Sequence, residues 1–251
     1  MLKNYAVVVT GGASGIGLGV AKAFAEAGAK VCIGGRRKDA VDTAVENIQS
    51  SLKLDSNKLA GQIFGHPMDV SNREQVAAFF DWSTKTIGPT DILVQAAGVN
   101  IRNRAIDIMT PEEWDQVIAI NATGAYNCMT SVLPAMRARK DGLIINISSV
   151  AGKRAIALGG VAYGASKFAM TALGTCVSNE VAGDGVRVTN VYPGEVNTPI
   201  LDKRPVPVSD AHKAQILQPE DIAAIILAIA LLPPRAHVPE IVIKPLSQVY
   251  Y

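Results

Sequence analysis

The stretch VVVTGGASGIGLGVAKAFAEAGAKVCIGG, residues 7–35, decides the fold. A β-branched run gives way to a glycine-rich turn. Apolar residues at helical spacing follow, and then a second short β-branched run. Gly11, Gly15 and Gly17 let the backbone turn tightly and approach a ligand where a Cβ would clash. Thr10 precedes the turn, and Ser14 and Ile16 lie within it. The helix that follows presents free N–H groups and a partial positive charge, a natural seat for a pyrophosphate. A glycine turn between a first strand and a first helix is a far stronger signal than the same residues elsewhere.

Outward from this unit the same alternation repeats. Short Val- and Ile-rich runs at 5–10, 30–35, 62–67, 91–96, 142–148, 186–193 and 240–245 lack a polar alternation, which suits strands buried on both faces. Helical periods fall between them at about 15–28, 38–52, 71–87, 111–138, 161–182 and 219–231. TPEEW (110–114) supplies a Thr N-cap, a Pro at the first helical position and two acids in the first turn, and QPEDIA (218–223) opens a helix in a similar way. The expected fold is α/β: one Rossmann-type, doubly wound parallel sheet of about seven strands with helices on both faces, a single domain over 1–251. Residues 194–218, rich in Pro and charge, are too long for a simple connection and read as a substrate loop or lid.

Composition narrows the function classes. A net charge of +2 gives no case for a nucleic-acid or membrane partner recruited by bulk charge. The apolar stretch closest to membrane length, 221–233, is too short to span a bilayer. The N-terminus runs straight into the glycine turn and reads as a first strand, not a signal peptide. Cys32, Cys128 and Cys176 are far apart and show no metal spacing, so reduced thiols in a cytoplasmic protein are expected, with no metal.

VAYGASKFAM (161–170) places a tyrosine and a lysine four positions apart. On a helix they share a face. A free Tyr hydroxyl, with a pKa near ~10, is a poor base at neutral pH. A neighbouring ammonium favours the phenolate, so Lys167 is expected to lower the pKa of Tyr163. Such a pair can move a proton to or from an alcohol oxygen.

The spacing Thr10-Gly-x-x-x-Gly-x-Gly resembles the N-terminal motif of the short-chain dehydrogenases/reductases. The resemblance extends, in order, from residue 10 to residue 198, and it implies the site residues. MDVSN (68–72) gives Asp69 and Val70 beside an adenine ring. VQAAGVN (94–100) gives Ala97 and Gly98, with Gln95 and Ala96 standing where the family has two Asn; loss of the second Asn is expected to leave a sheet-stabilising hydrogen bond unfilled. IAINATGAYN (118–127) gives Asn121, which holds a water in the family's proton relay. LIINISSVAG (143–152) gives Ser149 as the hydrogen-bond donor to the substrate oxygen, with Ser148 as second candidate because the gap to the tyrosine is fourteen where the family has thirteen. Tyr163 and Lys167 complete the catalytic set and contact the cofactor. VYPGEVNTP (191–199) places Pro193, Gly194, Val196 and Thr198 against the nicotinamide.

The second strand ends CIGGRRK. Gly35 stands where relatives preferring NAD carry Asp, and Arg36 and Arg37 suit a 2′-phosphate, so NADP is expected over NAD. The resemblance also implies strand order 3-2-1-4-5-6-7 and a dimer or homotetramer. The segment 233–248 resembles NADP-dependent 3-hydroxy acid and serine dehydrogenases, which implies a small hydroxy acid or related carbonyl as substrate. A 3-oxoacyl-thioester reductase and a catalytically silent NADP-binding regulator are the alternatives. Arg102, Arg104, Lys203 and Arg204 either meet a substrate carboxylate or are solvated, and exposed Arg is the commoner case.

Overall fold

A computed structural model describes residues 2–54 and 61–249 of the chain. The described residues form a seven-stranded parallel sheet in the order β3-β2-β1-β4-β5-β6-β7. Its strands are β1 (Ala6–Thr10), β2 (Lys30–Gly35), β3 (Gln62–Pro67), β4 (Ile92–Gln95), β5 (Gly142–Ile147), β6 (Val186–Pro193) and β7 (Glu240–Ile243). The helices are α1 (Gly15–Glu26), α2 (Lys38–Leu54), α3 (Arg73–Ile87), α4 (Pro111–Ile118), α5 (Gly124–Arg139), α6 (Val161–Val181), α7 (Asp210–Lys213) and α8 (Pro219–Ala230).

Successive strand residues point to opposite faces, and the core divides accordingly. Val7 and Val9 join one apolar cluster with Phe24 of α1 and Ile226 of α8. Ala6 and Val8 join the other with Phe79 of α3 and Met129 of α5. That division is why the central strands carry apolar residues without alternation. β7, at the edge, alternates between exposed and half-buried residues. Thr110 and Glu113 form a reciprocal capping box at the start of α4, with Pro111 at the first helical position. Gln218 and Asp221 do the same for α8.

The helical period read as continuous over 111–138 is broken. Residues Ala119–Thr123 form a π-helical turn between α4 and α5. The extra residue in that turn lets the buried Asn121 reach the backbone beyond β4: its Oδ1 accepts from Val99 N at 2.8 Å and its Nδ2 donates to Val99 O at 2.9 Å.

The gap left by the missing Asn pair is filled. Gln95, Asn146 and Asn190 lie at one level of β4, β5 and β6. Gln95 Nε2 donates to Asn146 Oδ1 at 2.9 Å, and Asn146 Nδ2 donates to Asn190 Oδ1 at 2.9 Å. Asn190 Nδ2 reaches Thr171 O and Thr175 Oγ1 on α6. All three amides are buried. The longer Gln side chain thus makes the cross-strand bond that the sequence seemed to lack. α6 lies so close to this ladder that a Cβ on Gly174 would sit 2.2 Å from Asn190 Oδ1 and 2.4 Å from Asn146 Nδ2.

Substituting Gln95→Leu removes the donor to a buried acceptor and should destabilise the protein by roughly 1–3 kcal/mol. Gly174→Ala should destabilise it by a similar amount, roughly 1–3 kcal/mol, through overpacking. Denaturant unfolding measures both, and unchanged midpoints would contradict the ladder's role.

Candidate active site

The loops that follow β1, β4, β5 and β6 enclose a cleft of about 480 Å³ at the C-terminal edge of the sheet. This is where an open α/β sheet places its ligands. A second cavity of about 480 Å³ adjoins it over the ends of β2 and β3 and shares Gly11, Ser14, Arg36 and Arg37 as walls.

The glycine turn forms the floor between the two. Gly11 has φ +65°, and a Cβ there would lie 2.7 Å from the backbone of Ala97. The turn after β1 is thereby pressed against the segment after β4, and Thr10 Oγ1 accepts from Ala97 N at 3.3 Å. Ser14 caps α1 in extended conformation, yet its side chain makes no capping bond, and the first turn holds no acid. The helix therefore presents its N-terminus and a spare hydroxyl to the cleft.

Arg36 and Arg37 are exposed and border both cavities, while Lys38 turns away to Asp42 at 2.5 Å. Gly35 leaves no carboxylate at the end of β2. Asp69 and Val70 wall the second cavity, and Asp69 Oδ1 is held by Ser71 N and Ser71 Oγ at 2.9 and 2.7 Å. Ala97, Gly98, Pro193, Gly194, Val196 and Thr198 all line the main cleft, as do Ile16 and Gly15. Gly17 and Asn121 are not among its walls. Asn121 acts from behind: its Nδ2 donates to Ser166 Oγ at 3.0 Å, and Ser166 donates to Tyr163 O at 2.8 Å.

Geometry separates the two serines. Both line the cleft, but Ser148 is buried and its Oγ donates to Lys167 O at 3.1 Å, so it ties β5 to α6. Ser149 faces the cleft, and its Oγ accepts from Ala151 N at 3.1 Å. Tyr163 and Lys167 project from α6 into the same cleft. Lys167 is 4% exposed and donates from Nζ to Ile147 O at 2.8 Å. Burial pushes its pKa down to about 8.

Tyr163 departs from expectation. Burial pushes its pKa up, and the groups that oppose the rise are the Ser149 hydroxyl and the Arg104 guanidinium. Lys167, aimed at Ile147 with its Nζ 5.7 Å from the centre of the tyrosine ring, does not hold the phenol low. Arg104 is half-buried in the cleft wall and Arg204 is 15% exposed, so neither is a solvated charge, whereas Arg102 and Lys203 are exposed.

Sequence reasoning did not pick out Asn100, Glu195 or Gln248. Asn100 Nδ2 donates to Gly159 O at 3.1 Å and ties two walls together. Glu195 follows the Pro193-Gly194 turn, and its Oε2 receives both Arg204 Nη2 at 3.0 Å and His212 Nε2 at 2.8 Å. That triad holds the 194–218 segment, which contains two short helical turns (Pro199–Lys203 and α7), over the cleft. Gln248 Oε1 accepts from Glu195 N at 2.9 Å. It closes the 233–248 segment, but nothing in that segment's sequence signalled a contact with Glu195.

The profile of the short chain dehydrogenase family matches residues 5–206. The chain is 36% identical over 250 residues to a glycine betaine reductase of Emericella nidulans, covering 97% of this chain but only 19% of that protein's length. It is 33% identical to an uncharacterized oxidoreductase of Staphylococcus aureus, over 98% of this chain and 99% of the other. A serine dehydrogenase solved in its closed form with NADP⁺ superposes with a TM-score of 0.84 at 27% identity, over 97% of this chain and 96% of that one.

Desolvation of Lys167 has a direct readout. Carbon-13 shifts of the lysine Cε atoms, followed through the alkaline range, should show one lysine losing its proton at a pH of about 8, and Lys167→Met should remove that transition. If every lysine instead titrates near the ordinary ~10.4, the burial argument fails.

Proposed function

The chain belongs to the short-chain dehydrogenase family, and on that premise we propose that it is an oxidoreductase that interconverts a carbonyl and a secondary alcohol using NADP(H). The observation that carries this reading is the convergence of Ser149, Tyr163 and Lys167 with the glycine turn on one cleft. The cavities fit a phosphorylated dinucleotide. The pyrophosphate belongs at Gly11, Ser14, Gly15 and Ile16, where the helix N-terminus and the spare Ser14 hydroxyl meet it. Asp69 and Val70 would hold the adenine, and Arg36 and Arg37 would hold the ribose 2′-phosphate, with no carboxylate at Gly35 to repel it. Ala97, Gly98, Pro193, Gly194, Val196 and Thr198 line the cleft and would hold the nicotinamide. The NADP⁺ bound to the serine dehydrogenase supports the same choice.

When bound, the reduced cofactor supplies hydride to the carbonyl carbon. The protein handles the oxygen. Ser149 accepts from Ala151 N, so its own hydrogen is free to be donated to the substrate carbonyl. Tyr163, kept protonated by burial, is the proton donor in reduction, and the Arg104 guanidinium stabilises the phenolate it leaves. Lys167 has spent one N–H on Ile147 and retains others for the nicotinamide ribose. Asn121 positions the helix of Tyr163 through Ser166 and supports the relay that restores the proton.

The similarity of 233–248 to hydroxy acid dehydrogenases favours a small hydroxy acid or its carbonyl as substrate. Exposed Tyr126 on α5 and exposed Val161 and Phe168 on α6 support a homodimer or tetramer. The three free thiols, two of them buried, fit a reducing, cytoplasmic setting.

Tyr163→Phe should bind NADPH with unchanged affinity, read by cofactor fluorescence, while kcat falls roughly 10³-fold. In the same assay wild-type protein should use NADH at least about tenfold less efficiently than NADPH, the 2′-phosphate contacts being lost. Retained turnover in the variant contradicts the acid/base assignment, and equal use of NADH contradicts the cofactor assignment.

A further inference from the structure

The cleft carries more positive charge than the cofactor uses. Its walls hold Arg36, Arg37, Lys167, Arg104, Lys203 and Arg204, against a single carboxylate, Glu195. The first three belong to the dinucleotide end. The last three surround the opposite end, next to Tyr163. Of these, Arg204 is already matched, since Glu195 accepts it at 3.0 Å and shares the same oxygen with His212.

Arg104 is not matched. Its Nε donates to Ile101 O at 2.9 Å, its Nη1 to Leu158 O at 2.5 Å and its Nη2 to Lys203 O at 3.2 Å. All three acceptors are main-chain carbonyls. Among the described residues it has no carboxylate partner. Both burial and the neighbouring Arg204 act against its charge. Arginine does not shed its proton to relieve this, so the site keeps an uncompensated cation in partly desolvated surroundings.

Nor can Arg104 swing away. Val161 N donates to its carbonyl at 3.2 Å, and Gly160, at the start of α6, is packed so tightly that a Cβ there would lie 2.5 Å from Arg104 Cβ. The three carbonyls fix the guanidinium at the meeting of the 101–104 loop, the 156–160 loop and the 199–204 turn of the lid. A guanidinium has five N–H donors, and three bonds leave two unspent. Arg104 is thus rigid, charged and partly free on the wall that Tyr163 occupies.

We propose that Arg104 is the anchor for a carboxylate of the substrate, with Lys203 adding charge at the rim and Arg204 reserved by Glu195 for holding the lid. The ligand class is a short hydroxy acid or the matching oxo acid. Its carboxylate takes the unspent donors of Arg104 while its carbinol or carbonyl oxygen meets Ser149 and Tyr163. This rests on the function proposed above and deepens it. A neutral substrate in the same place would leave a half-buried cation without a partner.

The test compares 3-oxo acids of short chain with their methyl esters, using NADPH and wild-type, Arg104→Gln and Arg104→Lys proteins. Wild type should favour the acids, and added salt should erode that preference while leaving the esters unaffected. Arg104→Gln should lower kcat/KM for the acids roughly 10- to 100-fold more than for the esters, the range for a lost charge-assisted hydrogen bond, with the difference lying in KM, while any fall in kcat from the phenolate's lost partner is shared by both. Arg104→Lys should restore part of the acid activity. Esters favoured by wild type, or acids and esters losing activity equally in Arg104→Gln with a shifted pH profile, would overturn the proposal and leave Arg104 serving Tyr163 alone. If Arg104→Gln fails to fold, the wild-type preference and its salt dependence decide. If nothing turns over although NADPH binds, the oxidoreductase reading has failed. The anchor is then judged by calorimetry of 3-hydroxybutyrate on NADP⁺-loaded protein: wild type binding at least about tenfold tighter than Arg104→Gln supports it, and equal or absent binding overturns it.

Discussion

Lys167 gives a hydrogen bond of 2.8 Å to Ile147 O, the last carbonyl of β5, and that contact fixes where α6 stands on the sheet. The reverse tie comes from Ser148, whose hydroxyl donates to Lys167 O. Further along, Asn190 reaches Thr171 and Thr175, and Gly174 lets the helix lie flat on the amide ladder. At the other end Asn121 links the strand extension after β4 to Ser166. Five polar contacts therefore hold one helix, and that helix carries Tyr163 to the cleft. Polar groups so placed are costly if unpaired, so they specify one register of helix against sheet.

The same burial sets the chemistry. Desolvation raises Tyr163 and lowers Lys167, which keeps the phenol protonated and brings the ammonium's loss of charge down to about 8. Cations line the cleft: Arg36 and Arg37 border it and the second cavity, and Arg104 lies near Tyr163; in the function proposed, the first two serve the dinucleotide and Arg104 the substrate. In the 194–218 segment Glu195 pairs with Arg204 and lies within hydrogen-bond distance of His212, and among the described residues Arg104 has no carboxylate partner. A site built this way favours negative charge at both ends of a bound pair and in the middle during reaction.

Much of this was legible in the residues themselves. β2, β3 and β6 have the bounds that the short Val- and Ile-rich runs gave them: β2 and β6 are largely buried, while β3, at the edge of the sheet, is mostly half-buried. The glycine turn, Tyr163 and Lys167 were legible because each depends on local spacing. What depends on register was not. Gln95 looked like a loss until β4 and β5 were aligned and its longer amide was found opposite Asn146. The π turn at Ala119–Thr123 hides inside an apolar period that suits an α-helix equally well. Arg104 is separated from Tyr163 by 59 positions, and only the packing of three loops brings it to the cleft. Chain position alone favoured solvent for it.

The central claim is that hydride and proton meet at one substrate carbon and oxygen in front of Tyr163. The most direct measurement is isotope transfer from NADPH deuterated at C4 of the nicotinamide, on one face and then on the other. A 3-oxo acid incubated with the wild-type protein should yield a hydroxy acid carrying deuterium at the carbinol carbon from one of the two labelled forms. A hydroxy acid without deuterium from either form, or oxidation of NADPH with no alcohol formed, would contradict the account.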